Sequence, residues 1–213
     1  MPANVGYQQP QTAGSNYNTD GFLIEQALKR IQTATLVRVM SVTNAGELSP
    51  VGFVDVQPMV HQVDGAGSRS MPHKTIFGVP YSRMQGGTDA IILDPKVGDI
   101  GVACFASRDL SSVKSTKQPA TPGSHRSHAM ADALYIGGVL NGVPEQYVRF
   151  SADGIEISTP KVVTVIAAAS VQFNTPNVVM SGNLAVGTGA TGSFSTATGE
   201  VVTVYDGIIT NIV

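Results

Sequence analysis

The residues best suited to chemistry lie in one polar stretch, residues 108–132, which holds two of the four histidines. His125 and His128 are three positions apart and Asp132 follows them, so groups that commonly bind metal ions come close together. A metal centre needs another strong ligand, and the surrounding sequence, which is rich in proline and glycine, supplies none. The pattern therefore favours an ordinary polar loop over a metal site.

Serine is abundant in the same stretch, but no serine there has the flanking residues of a nucleophile elbow. Elsewhere, Gly86-Gly87 and Gly187-x-Gly189 lack the lysine and the helix that follow phosphate-binding glycines. We therefore predict no catalytic, cofactor-binding or metal-binding residues and a protein that is not an enzyme. The serines considered are Ser111, Ser112, Ser124 and Ser127.

The overall composition argues against a nucleic-acid partner. The chain has 213 residues, with 13 basic and 15 acidic side chains, a net charge of −2, 6% aromatic residues and no tryptophan. A nucleic-acid protein needs a basic stripe and rings on which bases stack.

Residues 1–20 lack the basic start and apolar centre of a secretion signal. The single cysteine, Cys104, lies among small apolar residues and is predicted to be buried.

The order of elements predicts a helix followed by a small barrel over residues 20–145, after a flexible arm at 1–19. The helix begins near an N-cap at Thr19 or Asp20 and presents one apolar face. Short alternating stretches then predict strands near 36–42, 51–60, 76–79, 90–93 and 100–105, with Pro58 at an edge or a bend. One helix and about five short strands suggest an OB-like Greek-key barrel. The apolar helix face consists of Phe22, Leu23, Ala27, Leu28 and Ile31.

The last third of the chain has unusually few charges. Residues 162–199 contain no Asp, Glu, Lys or Arg, but they are rich in β-branched and small polar residues. The apolar runs are too short for a membrane helix, and the composition does not fit disorder. A lone chain folded as β-structure here would leave sheet edges open, so we expect identical chains to pair their edges.

A short repeat strengthens this prediction. The sequence TPKVV at 159–163 recurs as TPNVV at 175–179, sixteen residues later, so equivalent side chains keep the same face of a strand. The chain then closes with a predicted hairpin around Asp206-Gly207. Residues 146–213 are therefore predicted to form an intertwined β-shaft, and its inward side chains are Val163, Val165, Val171, Phe173 and Val179.

Five motifs in this order resemble the central spike of contractile bacteriophage tails, the baseplate assembly protein V or membrane-puncturing spike family. The resemblance covers about residues 20–213. The motifs are GFVDVQ (52–57), PKVGDIG (95–101), SHRSHAMADA (124–133), SADGIEI (151–157) and TVYDGII (203–209).

The resemblance implies an all-β homotrimer in the virion, at the distal end of the tail, made in the host cytoplasm. Its barrel would dock under the tail hub protein, and its C-terminal trimeric β-helix or prism would puncture the host outer membrane when the sheath contracts. The expected hub contacts are the polar stretch 108–132 and the helix face, namely Phe22, Leu23, Leu28 and Ile31. Alternatively, the helix packs only on its own barrel.

One family feature is missing. Several such spikes end in a His-x-His pair that holds iron at the apex, but no histidine follows His128 here. The apex therefore closes on Ile208, Ile209 and Ile212, or a separate tip protein covers it. Two other classes remain open for the chain: a trimeric tail-fibre or adhesin shaft, and an OB-type binding module.

Overall fold

The computed structural model describes residues 10, 13–44, 46–63, 68–182, 189, 191–205 and 207–212. The chain divides into two compact units between Pro144 and Glu145. Helix α1 (Asn16–Lys29) precedes the sheet of the first unit. Its N-cap is Ser15, whose hydroxyl accepts a hydrogen bond from the Asn18 amide, so the predicted cap at Thr19 or Asp20 is wrong. Residues 16–19 thus belong to the helix and not to an arm, and most of the predicted arm lies outside the described residues.

The first unit is built on a five-stranded antiparallel sheet in the order β5-β2-β1-β8-β9. An isolated parallel bridge between Tyr81 and Tyr135 brings its two edges together, so the sheet curls into a half-barrel. This confirms a mainly β architecture with a short helix. The strands of this unit are β1 (Ala34–Val42), β2 (Phe53–Pro58), β3 (Gln62–Val63), β4 (Ser70–Met71), β5 (Ile76–Pro80), β6 (Met84–Gly86), β7 (Asp89–Ile91), β8 (Ile100–Phe105) and β9 (Ala133–Gly137).

Strand alternation places one apolar face of this sheet in the core. Val37 and Val39 of β1 lie beside Pro58 and Val56 of β2, and all four are buried. On β8, Gly101, Ala103 and Phe105 take the inward positions. Cys104 points to the other face and is only half-buried, so the prediction of a buried cysteine is wrong.

Two bulges let apolar residues that are three positions apart share this face. Between Val39 and Ser41 the pairing of β1 with β2 shifts, so Val42 rather than Ser41 packs on the core. Between Ile76 and Val79 the pairing of β5 with β2 shifts as well, and both residues are buried. Gly78 there has a φ of 63° and donates its amide to Asp55. A bulge bends its strand, which fits the curl of the sheet.

Two sequence predictions about the barrel need correction. Strand β2 pairs with both β1 and β5, so the edge position predicted for Pro58 is excluded, whereas the alternative of a bend is met at Met59 and Val60, directly after it. Pro58 is tolerated because it ends β2, beyond the last residue that pairs with β5. The stretch 108–132 is not simply a loop, since it contains helix α2 (Ser111–Thr116) and a 3-10 turn at Met130–Asp132.

A buried ion pair closes the base of the β6–β7 hairpin. The Arg83 guanidinium lies 2.7 Å from the Asp94 carboxylate, and both side chains are almost fully buried. Arg83 also donates to the Ser49 carbonyl, and Asp94 accepts from the Gly46 amide. Burial opposes ionisation of Asp94, but the hydrogen bonds from Arg83 and the Gly46 amide keep its pKa below the usual value. The pair thus joins the hairpin to the loop between β1 and β2.

The second unit contains a hairpin of β10 (Tyr147–Ser151) with β11 (Gly154–Ser158), and an antiparallel sheet of β12 (Gly192–Ser195), β13 (Val201–Tyr205) and β14 (Ile208–Ile212). The predicted closing hairpin is confirmed as β13 and β14, although Asp206 of its turn lies outside the described residues. Residues 159–182, which carry the repeat, form no strand within this chain. In the described part of the chain, no helix combines the length and the apolar character needed to span a bilayer.

The core should be sensitive to a methyl group at Gly101. A Cβ there would lie 2.5 Å from the Tyr135 ring and from the Ile136 carbonyl oxygen. We expect Gly101→Ala to lower the free energy of unfolding by about 1–3 kcal/mol, as for other overpacked sites. Gly86→Ala is the matched control, because a Cβ there meets no atom within 4 Å. Chemical denaturation of both variants checks this, and equal stabilities would contradict it.

Candidate interaction surfaces

The apolar face of α1 is largely open to solvent. None of the fourteen residues of the helix is buried, and Leu23 and Leu28 are 58% and 60% exposed. Ile31, just after the helix, is 43% exposed, and Phe22 is half-buried. The helix therefore does not bury an apolar face against the sheet of its own unit, and these residues remain available for a partner.

The stretch 108–132 is held in shape by one arginine between two carboxylates. The Nε of Arg126 lies 2.6 Å from Asp132, and its Nη2 lies 2.7 Å from Asp109. Asp132 is completely buried and also accepts from the Leu110 amide. Ser124 donates its hydroxyl to Asp109 at 2.7 Å. Every buried charge in this cluster has a partner, which is the condition for tolerating charge in a protein interior.

The same contacts set the titration of the two carboxylates. The hydrogen bonds from the Ser124 hydroxyl and the Ser111 amide lower the pKa of Asp109 to about 2. The Arg126 guanidinium lowers the pKa of Asp132, against the opposing effect of burial. Both groups are therefore ionised at neutral pH, and their ionised forms stabilise the folded state.

These contacts give structural partners to three groups that were considered as metal ligands or nucleophiles, namely Asp132, His128 and Ser124. Asp132, the one carboxylate near the two histidines in sequence, is bound by Arg126 and the Leu110 amide. His128 lies 3.3 Å from the Gln32 carbonyl through its Nδ1. Ser124 donates to a carboxylate and not to a histidine. Among the described residues, no group of three or more His, Cys, Asp or Glu side chains is arranged to hold a metal ion.

The β10–β11 hairpin has one apolar and one polar face. The register places Val148 opposite Ile157 and Phe150 opposite Ile155, so these four exposed side chains share a face. On the other face Arg149 pairs with Glu156, which also accepts from the Tyr147 hydroxyl. Since two-stranded hairpins are marginal in water, this apolar face needs cover.

The C-terminal sheet also collects apolar residues on one face, where Val202 is buried, although Val201 and Tyr205 lie on its other face. Its register places Phe194 opposite Val202, and Val202 opposite Ile212. A further shift leaves residue 210 without a partner, so Ile209, opposite Val204, faces the same side as Ile212. Two of the three predicted tip residues thus share one apolar face, which sequence spacing alone did not indicate. The side chain of Ile208 lies outside the described residues.

The predicted inward residues of the shaft have no cover within the chain. All five are between 49% and 90% exposed, and they lie in the strand-free segment 159–182. They remain a predicted interface that intrachain packing does not account for. They are Val163, Val165, Val171, Phe173 and Val179.

No protein-family model matches this sequence, and no curated protein matches it significantly. Function is therefore inferred from the residues and their geometry.

The exposure of α1 predicts that its apolar face is dispensable for stability. We expect Leu23→Ser and Leu28→Ser to change the free energy of unfolding by less than about 0.5 kcal/mol, as at other exposed sites. If the helix covered the core, each would cost about 1.5–3 kcal/mol. Val39→Ser, at a buried position, is the control that should destabilise strongly. Thermal and denaturant unfolding of the full chain distinguish these cases.

The low pKa of Asp109 predicts an effect of Ser124→Ala that depends on pH. A carboxylate with a depressed folded-state pKa contributes stability above its unfolded value of about 4, and loses it as the pH falls toward 2. We therefore expect the variant's loss in Tm to be largest near pH 6 and to shrink between pH 4 and 2. Ser112→Ala is the control, because Ser112 does not contribute to lowering that pKa. A loss that stays constant across this range would contradict the prediction.

Proposed function

We propose that this chain forms the homotrimeric central spike of a contractile bacteriophage tail, a structural and non-enzymatic role. The observation that carries the proposal is the C-terminal unit. It has no charged residue from 162 to 199, and most of its described large apolar side chains, Val202 excepted, remain exposed in the single chain. Identical chains wound together would bury these side chains and pair the open backbone, which one chain does not do alone.

In the proposed trimer, the second unit forms an intertwined β-helix or prism. Each large apolar side chain buried at the axis contributes roughly 1.5–3 kcal/mol, so three chains together make a stiff rod. At about 4.8 Å per strand layer and about eight residues per layer, the shaft would be on the order of 40 Å long. That length exceeds the roughly 30 Å of a bilayer core. An uncharged surface also lowers the cost of leaving water.

The first unit supplies the attachment in this proposal. The strand order β5-β2-β1-β8-β9, with the bridge that joins its edges, supports an OB-like Greek-key barrel. The exposed face of α1 and the clamped stretch 108–132 are the surfaces offered to the tail hub protein. Contraction of the sheath supplies the force, so the spike itself carries out no chemistry and needs no cofactor.

The apex is proposed to be free of metal, because no histidine follows His128. Ile209 and Ile212 share an apolar face with Phe194 and Val202, which supports an apex closed by apolar side chains. The same face would equally accept a separate tip protein. The host outer membrane is then a transient partner during penetration.

Two other functions make different predictions. A trimeric tail-fibre or adhesin shaft would lie at the periphery of the baseplate, so immunogold labelling of intact virions separates it from a central spike. An OB-type binding module would keep its function after removal of residues 145–213, whereas a spike would lose assembly into tails.

The oligomeric state is the direct test. Light scattering should give about three times the chain mass of 22.1 kDa. Val165→Asp should prevent assembly, because three unpaired carboxylates would meet at an apolar axis. Thr164→Asp is the matched control, since the neighbouring residue of an extended chain faces outward. A wild-type monomer, or equal behaviour of the two variants, would contradict the shaft.

A further inference from the structure

An open groove of about 750 Å³ lies on the first unit, between the β3–β4 hairpin and the turn at Met130. Its apolar lining includes Met71 and Phe77, which are 54% and 73% exposed, together with Ile76 and Met130. The volume is within the range of ordinary ligand sites. The groove therefore offers an apolar floor that the first unit leaves uncovered.

One wall of the groove is held by side-chain hydrogen bonds. The Gln62 amide lies 3.0 Å from Nδ1 of His73, and the Gln57 amide donates to the His73 carbonyl at 3.0 Å. These bonds tie the segment between β4 and β5 to β2 and β3. The wall is thus formed before a partner arrives, which lowers the entropic cost of binding.

The charged residue in the lining of the groove is basic. It is Lys74, and no described lining residue is acidic. The Nζ of Lys114 lies 3.4 Å from the carbonyls of Ala131, which lines the groove, and Gly78. Lys114 is thus placed at the border of the groove.

Among the described residues, the carboxylates near this region are already bound. Asp132, next to Ala131 of the lining, and Asp109 are held by Arg126, and Asp55 accepts from the Gly78 amide and the Ser41 hydroxyl. No described carboxylate forms an ion pair with Lys74 or Lys114, so the positive charge of these two lysines is available to a partner.

We propose that this groove binds an extended acidic segment of a protein, in which apolar side chains alternate with Asp or Glu. The apolar side chains of such a segment would lie on the Met71 and Phe77 floor, and its carboxylates would meet Lys74 and Lys114. The assignment of this acidic segment to the tail hub protein rests on the proposed function. Its apolar and acidic character is inferred from the groove itself. A single-stranded nucleic acid fits less well, because Phe77 and His73 supply the two aromatic rings of the described lining and successive bases need several.

The test uses the full chain and a fluorescein-labelled ten-residue peptide of alternating Val and Glu, followed by fluorescence anisotropy. The matched control peptide replaces each Glu by Gln. A labelled oligothymidylate of ten nucleotides represents the alternative ligand, single-stranded nucleic acid. We expect the Glu peptide to bind best, and Lys74→Gln with Lys114→Gln to weaken it roughly tenfold, at two- to fivefold per lysine. Phe77→Ser, at an exposed position, should also weaken binding without unfolding the chain.

The control protein carries Lys96→Gln and Lys161→Gln, which remove the same charge from residues that are not part of the groove lining. Three results would each overturn the proposal. They are a loss of affinity for the Glu peptide that is as large in this control, equal binding of the Glu and Gln peptides, and tighter binding of the oligothymidylate. Light scattering on the same samples separates it from the spike function. A trimer that does not bind the Glu peptide overturns the groove alone, whereas a monomer that binds it overturns the spike and leaves the groove.

Discussion

The fold of the first unit depends on two bulges, which change the alternation of side chains between the two faces of a strand. Side chains alternate between two faces of a strand, so apolar residues three positions apart ordinarily point to opposite sides. Val39 with Val42, and Ile76 with Val79, are spaced in this way, yet each pair faces the core. The shifts in pairing on β1 and β5 reconcile the spacing with the core, and they also bend the strands. Curl and core packing thus have the same cause.

Two clusters of buried charged side chains hold the loops that connect the strands of the curled sheet. Arg83 with Asp94 joins the base of the β6–β7 hairpin to the loop between β1 and β2. Arg126 with Asp109 and Asp132 shapes the stretch that leads into β9. In both clusters backbone amides supply further hydrogen bonds to the carboxylates, so the cost of burying them is offset. The loops that border the candidate surfaces are consequently held by strong, directional contacts.

The two units differ in how far their apolar side chains are buried within a single chain. The first buries its alternating core residues within one chain, although it also carries exposed apolar side chains, among them those of α1 and the groove. In the second unit the β10–β11 hairpin has an exposed apolar face, and the C-terminal sheet places the exposed Phe194, Ile209 and Ile212 on one face with the buried Val202. In the proposed trimer, copies of the same chain supply the missing cover. The absence of charged side chains from residues 162–199 is one of the observations that support this proposal.

The sequence by itself determined several of the strands, because alternation and turn residues are local properties. It did not identify β3, β4 or β6, and the alternating residues within 159–182 form no strand within this chain. It predicted β1, β2, β5, β8 and the β13–β14 hairpin, and it identified the uncharged segment as one that a lone chain does not cover. It also marked the apolar face of the helix that the structure leaves exposed. It placed the helix start too late, since Ser15 and Thr19 are both good capping residues and only geometry chooses between them.

Only the tertiary structure decided which strands pair, where the bulges fall and which charges meet. Arg126 contacts Asp109, seventeen residues away, and residues of β3, β4, β5 and the Met130 turn line one groove. The bulge at residue 210 likewise sets Ile209 and Ile212 on one face. These features depend on register between distant segments, and a shift of one residue reverses every side chain. Local sequence patterns do not contain that register.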